Sequence, residues 1–186
     1  MIISHNGLRV SLRDLQLTDT PLFYSEIELS SSYLRNSDIL WLPHHEESIQ
    51  ATIASLVERN RLLPFPTTLV LLNEKNQSIG LVSLHTFDNR HLIFNYGISL
   101  LEKYQGKGYA FEAVNLLLNY MFYHNKYFKC LAKTYSFNKS SIALQRKVGF
   151  KMEGILKDSY YSKGEFIDVY LWGIDKNSFR FMHKAQ

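Results

Sequence analysis

The sequence predicts an α/β domain built on one mixed sheet (α+β in its strand order): an antiparallel meander, then a β-α-β crossover, a helix and a C-terminal strand pair. Three observations carry this prediction. Strand-like runs follow one another across short turns between Thr67 and Leu100. From Phe111 the apolar residues change to helical spacing, and the order becomes helix, strand, helix, strand, strand. Finally, 186 residues that are 46% hydrophobic and 14% aromatic can bury a substantial core as a single domain over 1–186. No internal repeat, low-complexity stretch or linker interrupts it.

In chain order, Leu8, Val10 and Leu12 alternate with Arg9, Ser11 and Arg13, the period-two pattern of a half-buried strand. Thr18-Asp19-Thr20-Pro21 offers a cap residue and a proline near the first helical position, and Leu22, Phe23, Ile27 and Leu29 give that helix an apolar side. The segment Ser30 to Leu42, with Tyr33 and Trp41 inserted, reads as a second short helix or a substrate-facing loop ahead of Pro43. Helical spacing returns from Glu46 to Asn60 through Ile49, Ile53, Leu56 and Val57. Pro64-Phe65-Pro66 breaks it, and the β-branched run Thr67 to Leu72 reads as a strand. Turn residues at Asn73 to Asn76 and Asp88 to Arg90 bracket a second strand, Gln77 to Thr86, and His91 to Leu100 is the third. Phe111, Val114, Leu117, Leu118 and Met121 mark a helix running to Tyr123. Phe128 to Thr134 is then a strand, and Ser140 to Lys147 a helix closed by Gly149. Lys151 to Leu156 and Phe166 to Ile174 pair at the end.

Charge and cysteine usage exclude several classes. A net charge of +4 comes from Lys and Arg scattered among acidic residues, which argues against nucleic acid and leaves a modest attraction for an anionic ligand. The one cysteine, Cys130, lies in an apolar run, where a buried inert thiol in a reducing compartment is expected. No apolar run approaches the roughly 20 residues of a membrane span, and Met1 to Arg13 carries no signal-peptide pattern, so the cytoplasm is the default expectation. His44-His45-Glu46-Glu47 carries ligand-type side chains, but adjacent residues rarely converge on one ion, and no metal is expected.

Gln105-Gly106-Lys107-Gly108-Tyr109-Ala110 joins the third strand to the helix. Two glycines allow a tight turn and close approach of backbone to a ligand, and the N–H groups of a loop that opens a helix point one way. Such a loop suits a phosphate, with the helix N-terminus and Lys107 adding positive potential. A plain glycine-rich turn capping the helix is the competing reading. Further motifs follow in order: Asn138-Lys139-Ser140-Ser141, Lys147-Val148-Gly149-Phe150 and Glu153-Gly154.

Taken together with Gly7-Leu8-Arg9-Val10-Ser11-Leu12-Arg13 and Ile79-Gly80, these motifs resemble the GNAT superfamily of acyl-CoA-dependent N-acyltransferases over nearly the whole chain. They are similar above all to the branch of ribosomal-protein N-terminal (serine/alanine) acetyltransferases and their small-amine relatives. The resemblance implies a GNAT-like fold with acetyl-CoA as co-substrate. It also implies a pyrophosphate loop at Gln105, Gly106, Lys107, Gly108, Tyr109 and Ala110. The backbone of Ile98 and Leu100 would pair with the pantetheine arm, and Asn138 would hydrogen-bond that arm from the other side, a role compatible with capping the helix that follows.

Moving an acetyl group from a thioester to an amine requires a bound donor, a neutral amine, a hydrogen-bond donor toward the carbonyl oxygen and a proton for the departing thiolate. Many relatives take that proton from a tyrosine seven residues after the Asn138 position, where this chain has Gln145. The resemblance therefore points to Ser141, with Ser140 beside it, although both also suit helix capping. The branch commonly carries an acid two residues before the strand glycine; here Asn95 precedes Tyr96 and Gly97. A water held by Asn95, or His85, Asp88 or Asp168, would then accept the proton, or the amine would arrive neutral. The expectation is an N-acetyltransferase acting on a primary amine, either a peptide N-terminus or a small molecule, with Thr20 to Leu42 and the Ser159 to Glu165 hairpin tip setting specificity. A homodimer is left open. A catalytically weak acyl-CoA-binding regulatory module is the alternative, kept by Asn95.

Overall fold

The computed structural model describes residues 2–20, 46–162 and 164–181, with side chains of the first helix described from Gln50 onward. Among them are eight strands, β1 (Ile2–Ser4), β2 (Ser11–Asp14), β3 (Thr68–Leu72), β4 (Ser78–Asp88), β5 (Ile93–Leu100), β6 (Lys129–Tyr135), β7 (Lys151–Ser162) and β8 (Glu165–Asp175). Three α-helices accompany them, α1 (Glu46–Leu62), α2 (Tyr109–Asn119) and α3 (Lys139–Val148). The strands form one mixed sheet in the order β1-β2-β3-β4-β5-β6-β8-β7, which realises the expected α/β class. β5 and β6 are parallel, in register from Ile93 opposite Lys129 to Asn95 opposite Leu131, with α2 between them in sequence. By residue contacts the chain divides into two compact units, 1–84 with 98–113, and 85–97 with 114–186.

In the first unit, β2 and β3 pair antiparallel with Leu12 opposite Leu71, and β3 pairs with β4. Leu15, Ile53, Val57, Val70, Leu72 and Leu101 form a buried cluster. The β3–β4 turn is built by Asn73, whose side-chain oxygen accepts the N–H groups of Lys75 (2.9 Å) and Gln77 (3.0 Å). At the other end of β3, Asn60 ties α1 to the strand. Its carboxamide oxygen accepts from the N–H groups of Thr67 (2.8 Å) and Thr68 (3.1 Å), and its nitrogen donates to the Thr68 carbonyl (2.7 Å).

In the second unit, Phe94 meets Phe122 and Tyr127 edge-on, and Phe122 meets Phe179. The Trp172 indole N–H donates to the Thr134 hydroxyl (2.8 Å) within this core. Cys130 is fully buried, and burial pushes its thiol well above the usual range. Gly149 closes α3 in the left-handed region at φ 102°, as its position predicts.

Several boundaries differ from the sequence expectation. The N-terminal strand is displaced to Ser11–Asp14, after an unanticipated β1, although Val10 and Leu12 keep their expected burial. α2 begins at Tyr109 and gives way after Asn119 to a π-turn, Tyr120–His124, whose Tyr120 carbonyl receives the Asn125 N–H (3.1 Å). The hairpin tip is shorter than Ser159 to Glu165, because β7 continues to Ser162. Within that longer strand Lys157-Asp158-Ser159 forms a bulge, between the Leu156–Val169 and Tyr160–Ile167 pairs, with Asp158 at φ 49°. The expected helix after Pro21, the segment Ser30 to Leu42 and the pair His44-His45 lie outside the described residues.

Asn60 satisfies N–H groups on Thr67 and Thr68, which are 2% and 5% exposed. Asn60→Ala is expected to destabilise the protein by about 2 kcal/mol or more, measured as a lower denaturant midpoint with an unchanged m-value.

Candidate functional site

In the first unit, β5 ends at Leu100, a 3-10 turn follows at Glu102–Tyr104, and the two-glycine loop leads into α2. The Gln105 carboxamide donates to the Leu100 carbonyl (2.9 Å), tying the loop back to the strand end. That bond engages one of the groups expected to face a ligand. Gly106 and Gly108 both take positive φ, 71° and 86°, which turns the chain sharply enough to present backbone at the helix start. Gln105, Gly106 and Lys107 are exposed, Gly108 and Ala110 half-buried. The Tyr109 side chain turns inward: its ring meets Tyr104 edge-on, and its hydroxyl donates to the Glu74 carboxylate (3.2 Å to each oxygen). Tyr109 therefore offers a ligand its backbone, while its side chain anchors the loop.

Sequence reasoning missed two residues beneath this loop. Glu112, 4% exposed, accepts the Arg9 backbone N–H (2.6 Å) and the Arg9 Nε (2.8 Å), and Arg9 Nη2 also reaches the Lys107 carbonyl (3.0 Å). The guanidinium lies over the Tyr109 ring, 4.6 Å from its centroid. The signal available in the sequence was a carboxylate one turn into an otherwise apolar helix, whose partner stands 103 positions away.

In the second unit, Asn95 and Gly97 share one face of β5, and the buried Phe94 and Tyr96 share the other. The His85 ring lies against Gly97 so closely that a Cβ at 97 would displace it. His85 is thus on the Asn95 face. The two carboxylates considered as proton acceptors are occupied. Asp88 pairs with His91 Nδ1 (2.9 Å) and accepts the N–H groups of Arg90 (2.8 Å) and His91 (2.9 Å). Asp168 pairs with Lys157 (2.7 Å) and accepts the Asp158 N–H (3.1 Å). The His91 hydrogen bond holds the Asp88 carboxyl below its usual range, and Lys157 does the same for Asp168. A carboxylate so stabilised is a poorer base.

Asn138 caps α3: its side-chain oxygen accepts the Ser141 N–H (3.0 Å) and the Ser140 hydroxyl (2.9 Å). The cap uses only the oxygen of the carboxamide. Ser140 is exposed with its hydroxyl directed into the cap, whereas Ser141 contributes its backbone and is half-buried. Gln145, at the position where the resemblance implied a tyrosine in many relatives, is buried and accepts the Tyr96 hydroxyl (3.0 Å). Burial holds that hydroxyl far above the ordinary phenol range, so neither residue is available as an acid. Glu153 sits at a β7 bulge, where the register slips between Met152 and Gly154. Its carboxylate lies over Gly173 and pairs with Lys129 (2.8 Å). Among the described residues no three His, Cys, Asp or Glu side chains gather as they would around a metal ion, and no helix is long and apolar enough to cross a membrane.

Strand, two-glycine loop and helix N-terminus in that order define an α/β protein suited to an anionic ligand. An acetyltransferase (GNAT) domain model matches residues 9–151, and the chain belongs to that family of acetyl-CoA-dependent N-acetyltransferases. It is 28% identical over 177 residues to the SPbeta prophage-derived uncharacterized N-acetyltransferase YokL of Bacillus subtilis (strain 168), covering 95% of this chain and 96% of that one. It is also 28% identical over 109 residues, 59% of each chain, to the spermidine N(1)-acetyltransferase of Escherichia coli (strain K12). Among solved structures, RimL, a ribosomal L7/L12 alpha-N-protein acetyltransferase in complex with coenzyme A, superposes with a TM-score of 0.83. That likeness is at 17% identity over 96% of this chain and 99% of that one.

The Tyr96–Gln145 pair separates scaffold from chemistry. Gln145→Leu leaves a buried hydroxyl without its acceptor and is expected to cost about 1–3 kcal/mol on thermal or denaturant unfolding. Turnover of the folded fraction should remain near that of the parent.

Proposed function

We propose that this protein binds acetyl-CoA and a primary amine together and transfers the acetyl group by direct attack, as one catalytic domain. The observation that carries the reading is the Gly106–Gly108 loop, with both glycines at positive φ and α2 starting at once behind it, inside the matched family region. Its backbone N–H groups, with Gln105 to Ala110 as a whole, receive the pyrophosphate. The pantetheine arm runs along the backbone of Ile98 and Leu100, and the Asn138 carboxamide nitrogen, unused by the helix cap, hydrogen-bonds it. No protein nucleophile takes part. The amine nitrogen attacks the thioester carbon, the C–S bond breaks, and the thiolate takes a proton through Ser141, whose hydroxyl is not spent on the Asn138 cap as that of Ser140 is.

The proton leaving the amine has to be received on the Asn95 face. Asn95 itself cannot hold it, Asp88 is hydrogen-bonded to His91, Asp168 is paired with Lys157, and His85 stands over Gly97 on the same face, where an imidazole can serve as the proton acceptor. The acceptor is a primary amine in either version of the reading: relatives are named for spermidine and for a ribosomal-protein N-terminus, and both substrates present one. The single buried cysteine accords with a cytoplasmic setting, and a homodimer is compatible with the reading. The acyl-CoA-binding regulator stays as a second reading because of Asn95.

The test is release of CoA thiol by the purified protein from acetyl-CoA against polyamines, amino sugars and N-terminal peptides, with turnover expected on at least one class. Tight CoA binding with no thiol release from any amine would favour the regulator. With a working acceptor, His85→Gln is expected to lower kcat/KM at pH 7 by about a hundredfold. The deficit should shrink toward pH 10, where an alkyl amine loses its proton unaided. A constant deficit across that range would remove His85 from proton transfer.

A further inference from the structure

Arg9 touches the glycine loop, yet its charge is already matched. Both Nε (2.8 Å) and Nη2 (2.6 Å) contact Glu112 Oε1, and the Arg9 backbone N–H binds Glu112 Oε2 (2.6 Å). What the guanidinium adds is a bond from Nη2 to the Lys107 carbonyl (3.0 Å). The Lys107–Gly108 amide, like every peptide bond among the described residues, is trans, and its N–H points opposite to its C=O. Holding the carbonyl on Arg9 therefore turns the Gly108 N–H away from Arg9. The same contact accounts for the residue at 108: a Cβ there would lie 3.2 Å from Arg9 Nη2, and φ is 86°.

We propose that Arg9, oriented by Glu112, is a positioning residue that fixes the Lys107–Gly108 peptide with its N–H aimed at the donor's pyrophosphate. It does not act as a phosphate ligand itself. Tyr109 completes the platform: its ring supports the guanidinium at 4.6 Å while its hydroxyl is held by Glu74. A lysine cannot replace Arg9, because a single ammonium lacks the planar fork that serves carboxylate and carbonyl at once. The inference rests on the reading of this loop as the pyrophosphate site.

The experiment compares acetyl-CoA with S-acetyl-pantetheine, a donor without phosphates, in the parent and in R9K and E112Q. The expected result is a rise of about tenfold or more in KM for acetyl-CoA with kcat little changed. The ratio of kcat/KM for acetyl-CoA to that for acetyl-pantetheine should fall by the same factor. A merely structural role would lower activity on both donors alike, and an unchanged ratio in folded variants overturns the proposal. A measurement on the parent stands independently of variant folding: CoA, but not pantetheine, should shift the Gly108 amide proton downfield in NMR titration. A Gly108 amide unmoved by bound CoA overturns the clamp while leaving acetyl-CoA binding intact. A parent with no affinity for CoA overturns the functional reading and this inference together.

Discussion

Parallel neighbours in a sheet cannot be joined by a tight turn; the chain has to leave one strand, cross over and return in the same direction. The parallel pairing of β5 with β6 imposes that path on residues 101–128, and the other features of the site follow from how the path is filled. A helix is the economical crossover, so α2 has to begin shortly after β5 ends. The intervening residues then lie at the carboxyl end of a strand and at the amino end of a helix, where backbone N–H groups collect. The register between the two strands also stops at Asn95, although β5 continues to Leu100.

One of the two carboxylates buried among the described residues lies at the same place, the other being Asp19 beside Arg13. Glu112 lies in a helix whose neighbours Ala113, Val114, Leu116, Leu117 and Leu118 are all buried. A carboxylate there carries a desolvation penalty that one ion pair seldom overcomes, so the pairing is weak evidence for stability. Three contacts from Arg9 to Glu112, and a fourth to a loop carbonyl, are better understood as fixing one backbone conformation among several that two glycines would permit. Gln145 and Tyr96 show the contrasting solution, a neutral hydrogen bond in the core that requires no charge.

Much of the fold was legible because it is written in periodicity. The strands from Thr68 to Leu100 and the helices at α2 and α3 fall within a few residues of their expected limits. What failed was local: the strand was expected to end at Leu156 with a hairpin tip from Ser159, but Asp168 on the partner strand binds the Asp158 N–H and Lys157, and β7 continues through a bulge to Ser162. Propensity cannot anticipate a carboxylate ten positions downstream. The turn of the two-glycine loop was legible because positive φ at Gly106 and Gly108 leaves a mark on sequence. Arg9 and Glu112 were not, since their meaning lies in a contact across 103 residues. Asp88 and Asp168 could be set apart from His85 as proton acceptors only once their own hydrogen-bond partners were known.

Cys130 is the sole cysteine, and its thiol is fully buried with ionisation strongly disfavoured. The folded protein therefore contributes almost nothing to a reagent that consumes thiolate, so colour developed during catalysis belongs to the released cofactor alone. The same seclusion makes Cys130 a reporter of opening. It lies on β6 between Phe94 of β5 and Ile174 of β8, so an alkylating agent gains access only when the sheet separates there, and the rate of mass gain measures how often that happens.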